Sequence, residues 1–255
     1  MSLVILYRYN NYQRASFLNY TGGVASKFYE SVNSASNYLS LRRINDSLMY
    51  ENARLRAQQL NAYYQNGFTL SSIVDTVYKQ QYQYISANIV NNSINKRNNY
   101  ITIDKGRLHG IETDMGVIGS NGVVGIVTSV SDHYATIRSA LNSNTKISAM
   151  VKKNGAFGSL EWDGDNPRIS SLLHVNKHVP VEIGDEIVTN NYSTLFPVGI
   201  PIGTIKEKSL EAEDNFYTLD VELFTDFNTL KTVYVIRNIL KDEQKTLENN
   251  LKGDH

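Results

Sequence analysis

Leucine returns every seven residues at Leu41, Leu48 and Leu55, and Ala62 closes the row. Asn45, Asn52 and Gln59 form a second row, three residues ahead of Leu48, Leu55 and Ala62. With leucine at d and amide at a, the rows make a coiled-coil seam with polar a positions. A seven-residue repeat keeps one helix face turned toward a partner. An amide at a costs stability, but it can pair with its own copy across a two-fold axis. That pairing sets register and favours two parallel strands. The spacing predicts a dimerisation helix over residues 39–66, about 40 Å long. Asn66-Gly67 supplies the stop, because glycine is free to turn left-handed. A helix with one apolar stripe can also pack on its own domain, and three heptads are short. The repeated amides favour a partner helix, since a core-facing stripe would carry Leu, Ile or Val there.

The period changes after this helix. Residues 1–38 hold only a short helical stripe, Val24, Phe28 and Val32, and residues 67–83 read as a connector. From Tyr84 onward short apolar runs follow at strand spacing: 84–90, 100–103, 116–119, 122–130, 134–140, 145–151, 155–162, 167–173, 186–189, 202–208, 215–223 and 230–237. In the run ending at Leu223, Thr218, Asp220 and Glu222 alternate with Leu219, Val221 and Leu223, a half-buried antiparallel pattern. Asn121-Gly122 between two apolar runs predicts a hairpin with a type I′ turn, positive in φ at both residues. No segment is long enough for crossover helices, which excludes a parallel α/β fold and leaves sandwich or barrel. The expected architecture is mainly β: a coiled-coil helix, then two small antiparallel six-stranded barrels. Their joint is expected near Lys152-Lys153-Asn154-Gly155, with the first barrel over 84–151 and the second over 152–238. Residues 239–255 read as a charged, disordered tail.

Composition narrows the partners. The chain has 255 residues, 41% hydrophobic and 20% charged, enough for a folded core. Lys plus Arg equals Asp plus Glu at 25 each, so the basic surface that nucleic acid demands is missing and no nucleic-acid partner is expected. The absence of cysteine removes disulfides, thiol nucleophiles and thiolate metal sites. Leu3-Val4-Ile5-Leu6-Tyr7 is far short of the ~20 residues that cross a bilayer, yet its junction with Arg8 has the look of a membrane helix meeting water.

Two barrels in series raise a serine hydrolase, which needs Ser, His and Asp around an oxyanion hole. Ser120 and Ser159 follow glycines but sit at strand ends, and His109, His133, His174 and His178 share no spacing with them. His174 and His178 border Pro180 rather than a helix, and Glu182, Asp185 and Glu186 crowd a turn at Gly184, so no metal is expected. Gly119, Gly122 and Gly125 lie inside the hairpin and cannot cradle phosphate ahead of a helix. No catalytic residue and no cofactor are expected. Glycine acts as punctuation instead: Gly106, Gly110, Gly116, Asn121, Gly122, Gly125, Gly184, Gly199, Pro201 and Gly203 mark structural turns or close backbone approaches.

Four stretches in order resemble the rod shape-determining protein MreC family. They are Tyr100–Gly106 with Gly110-Ile111 and Asp114–Val117; Asn121–Val127 with Val130-Ser131; Gly184–Thr189; and Phe196–Ile205. Where members often carry Ser-Gly after the third stretch this chain has Asn190-Asn191, and asparagine tolerates positive φ. The resemblance implies a non-enzymatic scaffold of the cell-elongation machinery that recruits or activates peptidoglycan synthases. It implies a parallel homodimer, possible filaments, and partners in MreD, the MreB system, RodA and the elongation-specific penicillin-binding transpeptidase. It further implies that residues 1–38 are juxtamembrane, that a single-pass anchor belongs ahead of them, and that the body lies on the periplasmic face of the inner membrane. The alternative, a membrane-fusion adaptor of an export system, would need a helical hairpin between two β halves.

Overall fold

The computed structural model describes residues 43–58, 63–64, 79–209 and 216–252. Two compact units divide at Glu51, and the second, Asn52–His255, holds every strand among the described residues. Helix α1 occupies residues 43–57 and does not reach the expected residue 66, since Tyr63–Tyr64 are paired as strand. A two-residue ladder pairs β1 (Tyr63–Tyr64) with β2 (Lys79–Gln80). Then come β3 (Tyr82–Asn92), β4 (Asn98–Ile103), β5 (Gly116–Ile118), β6 (Val123–Val130) and β7 (Ala135–Asn142). The next group is β8 (Ile147–Val151), β9 (Phe157–Glu161), β10 (Ile169–Asn176), β11 (Glu186–Thr189), β12 (Pro201–Ser209) and β13 (Phe216–Leu223). Strand β14 (Thr232–Asn238) and helix α2 (Lys241–Lys252) finish the described chain.

The strands close two six-stranded barrels, antiparallel throughout. One runs β14-β3-β4-β7-β6-β5 and the other β10-β13-β12-β11-β8-β9. Alternation fills them: Ile101, Ile103 and Ile137 point into the first barrel, and Ile147, Ala149, Val151, Leu219 and Val221 into the second, all buried. A closed barrel inverts side chains at every residue, which is why the period-2 pattern was legible.

Barrel membership departs from the expected division at 151/152. Strand β8 pairs with β9 and β11, so residues 147–151 belong to the second barrel. Strand β14 pairs with β3 and β5, so residues 232–238 belong to the first. Strands β3 and β5 do not pair with each other, and only the returning β14 can bridge them. The first barrel is therefore discontinuous in sequence, with the second inserted between β7 and β14.

Two local expectations also change. The β5–β6 hairpin forms, with Ile118 opposite Val123, but neither Asn121 nor Gly122 has positive φ. The Gly119 N–H donates to the Gly122 carbonyl at 2.8 Å, closing a loop over residues 119–122 that needs no type I′ turn. The expected disordered tail contains helix α2. Asn238 Oδ1 accepts the Leu240 N–H at 3.0 Å, Asp242 and Glu243 occupy the first turn, and Lys241 Nζ donates to the Asp114 carbonyl at 2.7 Å. Acidic residues at a helix start complement its dipole.

The barrels meet through backbone that tolerates no side chain. A Cβ on Gly116 would sit 2.3 Å from the Leu195 carbonyl and 2.7 Å from the Phe196 ring; one on Gly122 would sit 2.5 Å from the Pro201 carbonyl. Thr225 Oγ1 donates to the Val123 carbonyl at 3.1 Å, and Asn238 Nδ2 to that of Thr194 at 3.1 Å. At the β7–β8 crossing buried polar groups satisfy one another: Asn99 Nδ2 donates to Leu141 O at 2.8 Å, Asn142 Nδ2 to Asn99 O at 3.2 Å, and Thr145 Oγ1 to Ser139 O at 2.8 Å. Gly116→Ala should therefore lower stability by about 2 kcal/mol, in the range of overpacking substitutions. Urea unfolding of the purified variant checks this, and a change below about 0.5 kcal/mol, the level of neutral surface substitutions, would show that the two barrels part easily at this point.

Candidate functional site

The seam residues that the structure describes are Asn45, Leu48, Asn52 and Leu55, and all four are exposed. Leu48 keeps 56% of its surface open and Leu55 49%. Positions three apart share a helix face, so within the second unit Asn52 and Leu55 lie on one stripe. Leu41, Gln59 and Ala62 lie outside the described residues.

Within the second unit, a different edge of the same helix is occupied. Ala53 is buried and joins the apolar cluster that runs through the barrels. The Arg56 guanidinium lies 5.1 Å from the ring centre of Tyr234 on β14, and its Nη2 donates to the Ser120 carbonyl at the hairpin tip, 3.3 Å away. Cation–ring contact and a carbonyl acceptor together replace much of the water that arginine loses. Tyr84 stands close by on β3. Burial pushes its phenol up to about 12, with the Arg56 charge pulling down and Tyr82 adding a smaller upward push. Tyr82 is raised as well, by burial. This clamp was not found from sequence. Its signal was the pair Tyr82 and Tyr84 on one side of a strand, which only the fold brings to Arg56.

The punctuating residues divide into two kinds. Gly110, Gly184 and Gly199 have φ of 80°, 93° and 88°. Gly106, Gly125 and Gly203 lie where a Cβ would come within 2.3 Å of a backbone carbonyl, and Pro201 opens β12. Asn190 has no positive φ. Its turn is held instead by the side chain, whose Oδ1 accepts the Tyr192 N–H at 3.0 Å.

The residues weighed for chemistry are placed apart. Ser159 Oγ donates to Glu161 Oε1 at 2.9 Å, and Ser120 sits on the hairpin loop. His109 Nδ1 accepts the Gly106 N–H at 3.4 Å, while His174, with φ 63°, sits at the β10 bulge and meets Phe216 edge-on. Lys152 pairs with Glu186 at 2.6 Å and Lys153 with Glu182 at 2.7 Å, so the acidic turn is a set of exposed ion pairs. Among the described residues no three His, Asp or Glu converge as metal ligands.

Two closed six-stranded barrels after a helix are the fold that this chain shares with bacterial shape-determining proteins. The family model for the rod shape-determining protein MreC, barrel core, matches residues 89–237, more than half of the chain. The chain belongs to the MreC family. Among curated relatives, the cell shape-determining protein MreC of Listeria monocytogenes is 27% identical over 168 residues, covering 65% of this chain and 56% of that protein. The MreC of Escherichia coli K12 is 22% identical over 175 residues, covering 69% and 47%. The chain thus spans about half the length of the curated relatives it matches. Among solved structures, MreC of Listeria monocytogenes superposes with a TM-score of 0.57 at 24% identity, over 80% of this chain and 91% of that one. An MreC from Helicobacter pylori, solved in complex with penicillin-binding protein PBP2, gives 0.52 at 13% identity, over 62% and 99%. At these identities the structures share the fold.

The buried tyrosines make stability depend on alkali. A phenol with a folded value of about 12 against the ordinary 10.0 binds its proton more tightly when folded. Its contribution is complete below pH 10 and is lost as pH climbs toward 12. Tyr84→Phe should flatten the fall in unfolding free energy between pH 9 and pH 11 relative to the parent chain. Urea titrations at the two pH values measure it, and equal slopes would mean that Tyr84 is not held in its protonated form.

Proposed function

We propose that this protein is a non-enzymatic scaffold that two copies build through the α1 seam, displaying paired double barrels as docking surfaces for peptidoglycan-synthesising enzymes in the maintenance of cell shape. Family membership supports the cell-shape role. The exposure of Leu48, Asn52 and Leu55 carries the dimer reading, because apolar residues at heptad spacing gain by mutual burial while the amides select a two-stranded parallel register. The dimerisation set is Leu41, Asn45, Leu48, Asn52, Leu55, Gln59 and Ala62, of which Asn45, Leu48, Asn52 and Leu55 lie on α1.

The partner we favour is the elongation-specific penicillin-binding transpeptidase, supported by the complex of a relative with PBP2. MreD, the MreB system and RodA remain further proposed partners on family grounds. The proposed setting is the periplasmic face of the inner membrane, supported by a relative whose solved portion is described as its major periplasmic domain. No helix among the described residues is long and apolar enough to cross a membrane. Pairing the scaffold raises the local concentration of whatever each barrel holds. A synthase would be activated through tighter binding of its active state. The export-adaptor alternative lacks support, since residues 143–146 join β7 to β8 without a helical hairpin.

Light scattering during gel filtration tests the dimer. Leu48→Glu with Leu55→Glu should convert a dimeric mass to monomer, while barrel unfolding moves by less than about 0.5 kcal/mol, as for other surface changes. A parent chain that runs as a monomer at every concentration would end the seam reading. Replacing Asn45 and Asn52 by Leu should raise helix stability and admit trimers or tetramers; a clean dimer would deny the amides their specificity role.

A further inference from the structure

Over its last turns α1 has a docked edge and an open one. Ala53 is buried, Arg56 and Ala57 are half-buried, and Asn52 and Leu55 are exposed. Positions 53, 56 and 57 are three and four apart, the spacing of one helix face. Two of the three are alanines, and Ala53 joins the apolar cluster of the barrels. The third, Arg56, reaches further. Its guanidinium lies over Tyr234 of the closing strand β14, and its Nη2 donates to the Ser120 carbonyl. Ser120 stands at the tip of the β5–β6 hairpin, where other parts of the chain converge. Gly122 abuts the Pro201 carbonyl of the second barrel, and the Val123 carbonyl accepts the hydroxyl of Thr225 on the crossing between barrels. The last turn of α1 is thus fastened where the two barrels meet.

A helix as short as residues 43–57 is marginal in water without tertiary support. Two supports are open to it. The edge of 53, 56 and 57 has the barrel, and the seam edge, with Asn52 and Leu55, has a second copy of the chain. Each support must order the same backbone, at an entropic cost for every residue fixed. A helix already ordered against the barrel needs no second ordering when its seam meets a partner. The two edges share no residue, so one support does not displace the other. Docking and pairing therefore assist each other, and linkage makes the assistance equal in both directions.

We propose that α1 is a coupling device: pairing of two copies at the seam tightens the Arg56 clamp, and with it the hairpin tip where the barrels join. This rests on the dimer reading above and adds a consequence for the barrels. A paired scaffold holds its barrel junction more firmly than a single copy. Assembly then readies the docking surfaces as well as gathering them.

Hydrogen exchange of the purified full chain, read by mass spectrometry, tests this. Amides of residues 116–126 should exchange at least about fivefold more slowly in the dimeric parent than in a monomeric Leu41→Glu, Leu48→Glu variant, the low end of ordinary coupling factors. Both substitutions lie at least two turns of sequence before Arg56, so the clamp residues are the same in the two proteins. Arg56→Met removes the charge and the donor. It should erase the difference and raise the dimer dissociation constant about fivefold, as reciprocity requires. Equal hairpin exchange in dimer and monomer overturns the proposal, and that comparison keeps Arg56 in place, so it stands even where the Met variant folds poorly. A slowing that survives Arg56→Met overturns it as well. Either result leaves the dimer reading intact, whereas a parent that is monomeric at every concentration ends that reading and the coupling with it.

Discussion

Everything in this molecule depends on the hydrogen bonding of one late strand. Strands β3 and β5 are neighbours of β14 but not of each other, so the first barrel stays open until residues 232–238 arrive. Before that the chain must leave β7, complete the whole second barrel, and return. The two crossings, near residues 143–146 and 224–231, tie the barrels together twice. Close contacts at Gly116 and Gly122 then leave no room for either barrel to slide. An inserted second barrel is thus both a domain and the connecting loop of the first.

Much of this was readable from residues alone, and the failures have a common cause. The strand positions follow from alternation in runs such as Thr218–Leu223, because burial on one face writes itself into neighbouring residues. Barrel membership does not. Nothing within Ile147–Val151 or Thr232–Asn238 records which strands they pair with, since pairing is settled by partners tens of residues away. The disputed turn fails for a related reason. Asn121-Gly122 looks like a turn dictated by backbone dihedrals, whereas Gly122 is required by the Pro201 carbonyl of the other barrel. The final helix is hidden by its charge, which reads as disorder in the sequence, although Asn238 provides it with a start.

The candidate sites were legible to different degrees. The heptad seam is a local pattern in the sequence, and its described residues are each exposed. The clamp around Arg56 joins an arginine to Tyr84 and Tyr234, which are remote in sequence, and only the closed barrel brings them together. On residues 52–57 the helix therefore has two unlike edges. Ala53 and Arg56 face the barrel wall, while Asn52 and Leu55 stay open on another edge.

Closure has a further consequence for evolution. A sheet with a free margin can recruit another chain through main-chain groups, whatever the side chains. Here neither barrel has a margin to offer, so recognition on the barrels falls to side chains standing on the outside. Those positions can drift without touching the interior that holds the shape. The same architecture can then persist among relatives that differ at most positions, each free to be rewritten for its own company.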